Sequence, residues 1–377
     1  MLRAVFCWLI LVSFFASGRE ALAADDARPN VLFIIVDDLR TELGCYGSPL
    51  AKTPNIDELA ADGVMFDRAY CQFPLCNPSR SSMLTGRQPT TTGVFGNRSW
   101  FGREHPEFVS LPRYFREHGY ATLRTGKIFH GGIDDTDSWT AGGEERVWGA
   151  NVPRDPRKVA ARYVQQADRK TEDFWAPLSG RRAERGDHRT TDVAIDYLRE
   201  YKDQPFFLAC GLVKPHSPLV APEGFFDMYD VDDIELPPNF APRPTVPEGF
   251  PPRSIRPRNA DLFVGRDATP QEAKEMIRAY LACVSWVDWN VGRLLAELDR
   301  LGLREKTIVV LWGDHGYQLG ERGKWSKAGS LFEQGARVPL IIDAPGADGN
   351  GRSSPRVVES IDIYPTLVEL CGLPQPE

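Results

Sequence analysis

Two adjacent carboxylates, Asp37-Asp38, close an unbroken apolar run from Val31 to Val36. Side-by-side acids repel unless a cation lies between them, so the pair points to a hard divalent metal. Without one, it would read as a turn or a helix cap. A second acid has the same setting, because Trp312-Gly313-Asp314-His315-Gly316 follows the apolar segment Thr307 to Leu311. Gly126-Lys127-Ile128-Phe129-His130 and Lys214-Pro215-His216-Ser217-Pro218 each place a cation and an imidazole after a further strand-like segment. Lys324-Trp325-Ser326-Lys327 adds two more ammonium groups shortly after His315. Lysines usually form a solvated face, and a lone histidine is more often structural than catalytic. Yet three of the six histidines follow predicted strands. Together these groups suit an anionic ester: carboxylates hold a metal that polarises an oxyanion, cations clamp the other oxygens, and histidines move protons.

The nucleophile candidate is Cys76, in Cys76-Asn77-Pro78-Ser79-Arg80 followed by Ser-Ser-Met-Leu-Thr-Gly-Arg. Pro78 fits the first turn of a helix continuing through Leu84, which puts the cysteine at a positive helix end suited to an anion. By itself, a cysteine is more often a buried structural residue.

These groups need elements to hold them. The run 31–36 reads as a strand buried on both faces of a sheet. Thr53-Pro54-Asn55 opens a helix through Ala61, ended by Asp62-Gly63. Further helices are expected at 109–118, 189–202, 270–301 and 361–371, and strands at 121–125, 205–212, 307–312 and 338–342. The alternation predicts an α/β fold with a large, mostly parallel central sheet flanked by helices. The candidate residues follow strands, where open α/β sheets bind ligands. Residues 133–190, with Trp139, Trp148 and Trp175, read as a long surface insertion. Residues 236–258 carry eight prolines and read as an ordered loop pinned by Leu236, Phe240, Phe250 and Ile255.

The chain has 377 residues, 42% hydrophobic and 26% charged, enough for a sizeable core. Its net charge of −7 argues against nucleic acid as a partner. Residues 1–23 read as a secretory signal: Arg3, an apolar stretch from Ala4 to Phe15, then Ala21-Leu22-Ala23 as a cleavage site. That stretch is shorter than the ~20 residues a membrane span requires. Export is expected, to a periplasmic or extracellular space or a lysosome-like compartment, with a signal anchor as the alternative. The seven cysteines show no metal-binding or disulfide framework.

The segment beginning at Cys76 resembles the modification signature of type I sulfatases of the alkaline-phosphatase superfamily. The resemblance covers about residues 30–372 and is carried by Asn30 to Arg40, Cys76 to Gly86, Gly126 to His130, Lys214-Pro215-His216 and Gly313 to Gly316. The Tyr280 to Leu295 segment and Arg337 to Leu340 are also similar to the iduronate-2-sulfatase-like branch. Residues 24–377 would then form the catalytic domain, stopping before the antiparallel subdomain usual in that branch.

The resemblance implies that a formylglycine-generating enzyme converts Cys76 to formylglycine, whose hydrate is the nucleophile. Asp37, Asp38, Asp314, His315 and the modified Cys76 would ligate Ca²⁺, with Mg²⁺ the weaker fit. Arg80 would stabilise the hydrated aldehyde, while Lys127 and Lys327 bind sulfate oxygens. His216, with Lys327, would protonate the leaving alcohol, and His130 would deprotonate the second hydroxyl to expel sulfate from a sulfo-enzyme intermediate. Tyr317, after Gly316, is expected to line the substrate pocket with the 133–190 insertion. The implied substrate is a sulfated carbohydrate, such as a 2-O-sulfated uronate of a glycosaminoglycan. Choline sulfatase, a phosphonate or phosphodiester hydrolase of the same superfamily, and a non-catalytic sulfated-glycan binder are the alternatives.

Overall fold

The computed structural model describes residues 28–144, 146, 175–180, 186–329 and 331–376. The expected signal segment and Trp148 lie outside them. Among the described residues, no helix is long and apolar enough to cross a membrane.

One mixed sheet of eight strands organises the molecule. Its central strand, β1 (Asn30–Val36), is buried along its length. Strands put successive side chains on opposite faces. Accordingly Leu32, Ile34 and Val36 enter one hydrophobic core, and Val31, Phe33 and Ile35 enter another. The other strands are β2 (Val64–Tyr70), β3 (Ala121–Gly126), β5 (Phe206–Leu212), β7 (Thr307–Gly313), β8 (Arg337–Val338), β9 (Leu340–Asp343) and β10 (Arg352–Glu359). The order is β10-β2-β9-β7-β1-β5-β3, with β8 also paired to β2. A separate two-stranded sheet joins β4 (Trp175–Leu178) to β6 (Leu219–Pro222).

Among the described residues, six helices of seven residues or more cover the two faces. The first core is closed by α1 (Pro54–Asp62), α4 (Asp187–Glu200) and the long α5 (Pro270–Arg300). The second is closed by α2 (Cys76–Thr85), α3 (Leu111–Glu117) and α6 (Ile363–Leu370). Helix α5 starts with a complete capping box between Thr269 and Glu272 and has proline in its first turn.

Neighbours β7, β1, β5 and β3 run parallel, so their C-terminal ends share one edge. The sheet is mostly parallel, as expected, and mixed only through short ladders, β9 being antiparallel to both β7 and β2 and β8 antiparallel to β2. After β7 the chain stays at the same edge through residues 314–336 and re-enters the sheet without the crossover that a parallel neighbour needs. Phe250, expected to pin the proline-rich loop, is instead 49% exposed, while Ile255 is buried.

Candidate active site

Cys76, Asp37, Asp38, Asp314 and His315 meet at the shared strand edge. Asp37-Asp38 leaves β1 and Asp314-His315 leaves β7, and the two ends are stitched together by Asp314 N–H to Val36 O at 3.1 Å. Asp38 takes a positive φ of 62°, uncommon for a non-glycine residue. Its backbone N–H donates to Asp314 Oδ1 at 3.1 Å, and its carbonyl accepts from the Tyr280 hydroxyl at 2.7 Å. Thus α5, lying across the sheet, fixes the turn that presents both carboxylates.

Cys76 is the first residue of α2 and is 1% exposed. Asn97 Oδ1 accepts the Asn77 N–H at that helix start. The thiol donates to Asp37 Oδ1 at 3.3 Å and lies 3.3 Å from His315 Nε2. Ligand atoms of Asp37, Asp38, Cys76 and His315 all lie within 4.8 Å of one another. Asp314 stands beside them, its Oδ1 3.5 Å from His315 Nε2, while also accepting the His315 N–H.

This donor set fits a divalent cation. Asp38 Oδ1 is buried without a hydrogen-bond partner. His315 Nδ1 donates to Gly316 O at 3.0 Å, which leaves the Nε2 lone pair facing the cluster.

Arg80 lies one turn along α2 from Cys76 and is fully buried. It donates from Nε to Asp314 Oδ2 at 2.7 Å and from Nη1 to the carbonyls of Lys127 and Ile128. Lys127 pairs with Asp37, and Lys327 Nζ lies 2.8 Å from Asp38 Oδ2. Lys127 reaches inward because its loop crosses the end of β5. A Cβ on Gly211 would lie 2.0 Å from Lys127 O, and one on Gly126 would lie 2.0 Å from Gly211 O. Only glycine permits this approach.

His130 and His216 both stand beside the Cys76 thiol, close enough for it to favour their charged forms. His216 Nδ1 donates to Ser217 O at 2.7 Å, so its other nitrogen faces the site. Burial holds His130 below the ordinary imidazole range. His216 rises instead: burial and Lys327 oppose its charge, but Asp38 and Asp37 prevail. Burial and Asp37 work against the Cys76 thiolate, yet Lys127, Lys327 and His315 bring the thiol well below its usual range.

The Sulfatase family model matches residues 29–373. Iduronate 2-sulfatase of Mus musculus is 35% identical over 417 aligned residues, covering 98% of this chain and 73% of the relative. The enzyme of that name from Homo sapiens is also 35% identical, covering 96% and 72%. This chain belongs to the sulfatase family. The sulfatase hydrolyses sulfuric esters. Among solved structures, phosphonate monoester hydrolase of Agrobacterium radiobacter overlays with a TM-score of 0.68 at 22% identity, covering 92% of this chain and 74% of that one. At that identity the overlay speaks to the fold alone, which is that of the alkaline-phosphatase superfamily.

Tyr317 does not line open space in the sulfatase. It is 2% exposed, donates its hydroxyl to Trp325 O at 3.1 Å, and stacks on Tyr280 behind Lys327. Of the 133–190 insertion, Trp139 is buried in the second core, and residues 147–174 lie outside those described. Among the described residues all six cysteines are free.

Three supporting residues escaped the sequence reading. Asp187, the first residue of α4, accepts the backbone N–H groups of Val213 and Lys214, each at 2.8 Å. Lys214 Nζ then donates to the carbonyls of His216 and Pro218, so an Asp187–Lys214 prop carries the His216 loop. Tyr280 fixes Asp38, and Asp261 lies 3.9 Å from Lys327. Only Asp187 left a trace in the sequence, as an acid at a helix start, where capping is the ordinary explanation.

Proposed function

We propose that this sulfatase is exported and removes sulfate from a sulfated carbohydrate, a 2-O-sulfated uronate such as iduronate 2-sulfate being the substrate class. The observation that carries the reading is the Cys76 position itself, at the start of α2 and ringed by Asp37, His315, Lys127, Lys327, His130 and His216. The names of the iduronate 2-sulfatases support the choice of substrate.

In this proposal a formylglycine-generating enzyme oxidises the Cys76 thiol, and Sγ marks where the hydrated aldehyde presents oxygen. That change replaces a soft sulfur with a hard oxygen among carboxylates, which turns the donor set toward Ca²⁺. Asp37, Asp38, Asp314, His315 and the modified residue would hold the ion, which supplies Lewis-acid polarisation of the reacting oxygens.

The remaining work falls to side chains of the chain itself. Lys127, paired with Asp37, and Lys327, paired with Asp38, both act on the thiol position, where they would neutralise sulfate oxygens. Arg80 holds Asp314 and the Lys127 backbone in register. His216, whose charged form is favoured, protonates the departing alcohol oxygen. His130, whose neutral form is favoured, takes the proton from the second hydroxyl of the hydrate as sulfate leaves, completing a two-step covalent route.

The test begins with the mass of the tryptic peptide containing Cys76, from protein co-produced with a formylglycine-generating enzyme. Conversion lowers that mass by about 18 Da, a covalent change in the site. Turnover of an aryl sulfate is then compared with that of an aryl phosphodiester. An unmodified thiol with no sulfatase turnover, or faster phosphodiester cleavage, would sink the proposal.

A further inference from the structure

A concavity opens near the candidate active site. Its volume is about 570 Å³, and its apolar walls come from Phe73, Pro74, Phe250, Leu331 and Phe332. The Phe250 and Phe332 rings lie 5.8 Å apart. Two of these side chains remain in water, with Phe250 49% and Leu331 80% exposed. Contiguous exposed apolar surface of this kind marks a binding site more often than chance.

Two polar groups stand among the rings. Arg253 lines the cavity and, among the described residues, makes no ion pair, while Ser254 Oγ is buried without a hydrogen-bond partner. A mostly apolar cleft with a few unsatisfied polar groups is the usual anatomy of a small-ligand site.

Its placement ties it to catalysis. Pro74 is two residues before Cys76, and Gly329, also in the wall, is two residues after Lys327. Two residues of chain span at most about 7 Å, so both lips of the cavity lie close to the Cys76 and Lys327 positions. A ligand seated here must be joined to the sulfated group, carry a flat apolar face, and bear an anionic substituent for a guanidinium. A pyranose has such a face, with C–H bonds on one side and hydroxyls at the rim, and a carboxylate or sulfate supplies the charge.

We propose that this cavity is a subsite for the neighbouring residue of an anionic oligosaccharide, with Phe250 and Phe332 as the platform and Arg253 as the anion contact. The proposal rests on the carbohydrate reading above and deepens it by assigning a place to the residue linked to the sulfated one.

The test compares kcat/KM for three substrates: a disaccharide of 2-O-sulfated uronate joined to a sulfated hexosamine, the same disaccharide with a neutral hexosamine, and 4-nitrophenyl sulfate. Arg253→Ala is expected to erase a preference of about ten-fold for the charged disaccharide over the neutral one. Phe250→Ala should lower both disaccharides relative to 4-nitrophenyl sulfate by roughly five-fold. Both side chains are well exposed, which separates these effects from misfolding. Unchanged ratios in both variants overturn the subsite while leaving the carbohydrate reading intact. Turnover of 4-nitrophenyl sulfate with neither disaccharide cleaved overturns both. If 4-methylumbelliferyl sulfate loses as much as the disaccharides in Phe250→Ala, the cavity holds an apolar aglycone and the sugar assignment is wrong.

Discussion

Arg80 shows how much the site relies on single side chains. Its guanidinium is fully buried and faces Asp314 and Asp37 at 2.7 and 3.7 Å. Arg80→Ala would strip Asp314 of its guanidinium partner and leave Asp37 with Lys127 alone, at a cost of about 3–5 kcal/mol. Urea unfolding should show that loss, and a midpoint unchanged from the parent would refute it. The two histidines make a different prediction. His130 is pushed below the ordinary imidazole range by burial. His216 is pushed above it, Asp38 and Asp37 outweighing burial and Lys327. The base therefore stays neutral as pH falls below the usual imidazole value, and the acid stays charged as pH rises above it. For an aryl sulfate, the kcat/KM profile should have an alkaline limb set by His216, which acts before the alcohol leaves, and the kcat profile an acid limb set by His130, which acts after it. His130→Gln and His216→Gln should each cost about 10²–10⁴-fold and each abolish only its own limb. Both limbs surviving in both variants would reject the assignment.

Among the elements, α5 joins the two layers of the argument. Tyr280 holds the Asp38 turn, and two turns later Asp288 accepts the Ile56 N–H and the Asn55 side chain at 2.8 and 2.6 Å, capping the start of α1 from a distance. Burial raises the Asp288 carboxyl to about 6. A folded value above the unfolded one means that ionisation costs stability. The penalty is absent below about pH 4 and complete above about pH 6, at about 3 kcal/mol from the standard conversion of pKa to free energy. Asp288→Asn keeps an acceptor oxygen and removes the titration. Its stability relative to the parent should therefore improve between pH 4 and pH 7, and a difference independent of pH would contradict the burial argument. The same elements show what was legible beforehand. Asp37, Cys76, Lys127, His216 and Asp314 stood out because each follows a strong apolar run or starts a helix. Strand β2, only partly buried, and β10, largely exposed, lacked that contrast. Pro355 interrupts the β10 register at a bulge, as befits an edge strand. Asp187 and Tyr280 were hidden for another reason. Their partners are backbone groups 26 or more residues away, and no local pattern encodes a contact of that range.

Across the whole molecule, the carboxylates of Asp37, Asp38 and Asp314 are buried together. A cation bound among them would stabilise the folded state by about 2.7 kcal/mol at a free concentration one hundred times its Kd. For a domain of this length that corresponds to roughly 4 °C in Tm. Chelation should lower Tm by about that amount and calcium restore it, whereas a Tm indifferent to both would exclude a stabilising ion. The site is also spread widely along the chain, since the Lys327–Asp38 contact joins positions 289 residues apart. Cys76, so thoroughly enclosed in the finished fold, is therefore open until the residues that enclose it have been made. At roughly 5–20 residues per second, a ribosome takes roughly 13–50 s to travel from codon 76 to codon 327. Any enzyme that rebuilds the Cys76 side chain has that window in which to find it, and completion of the sheet closes it.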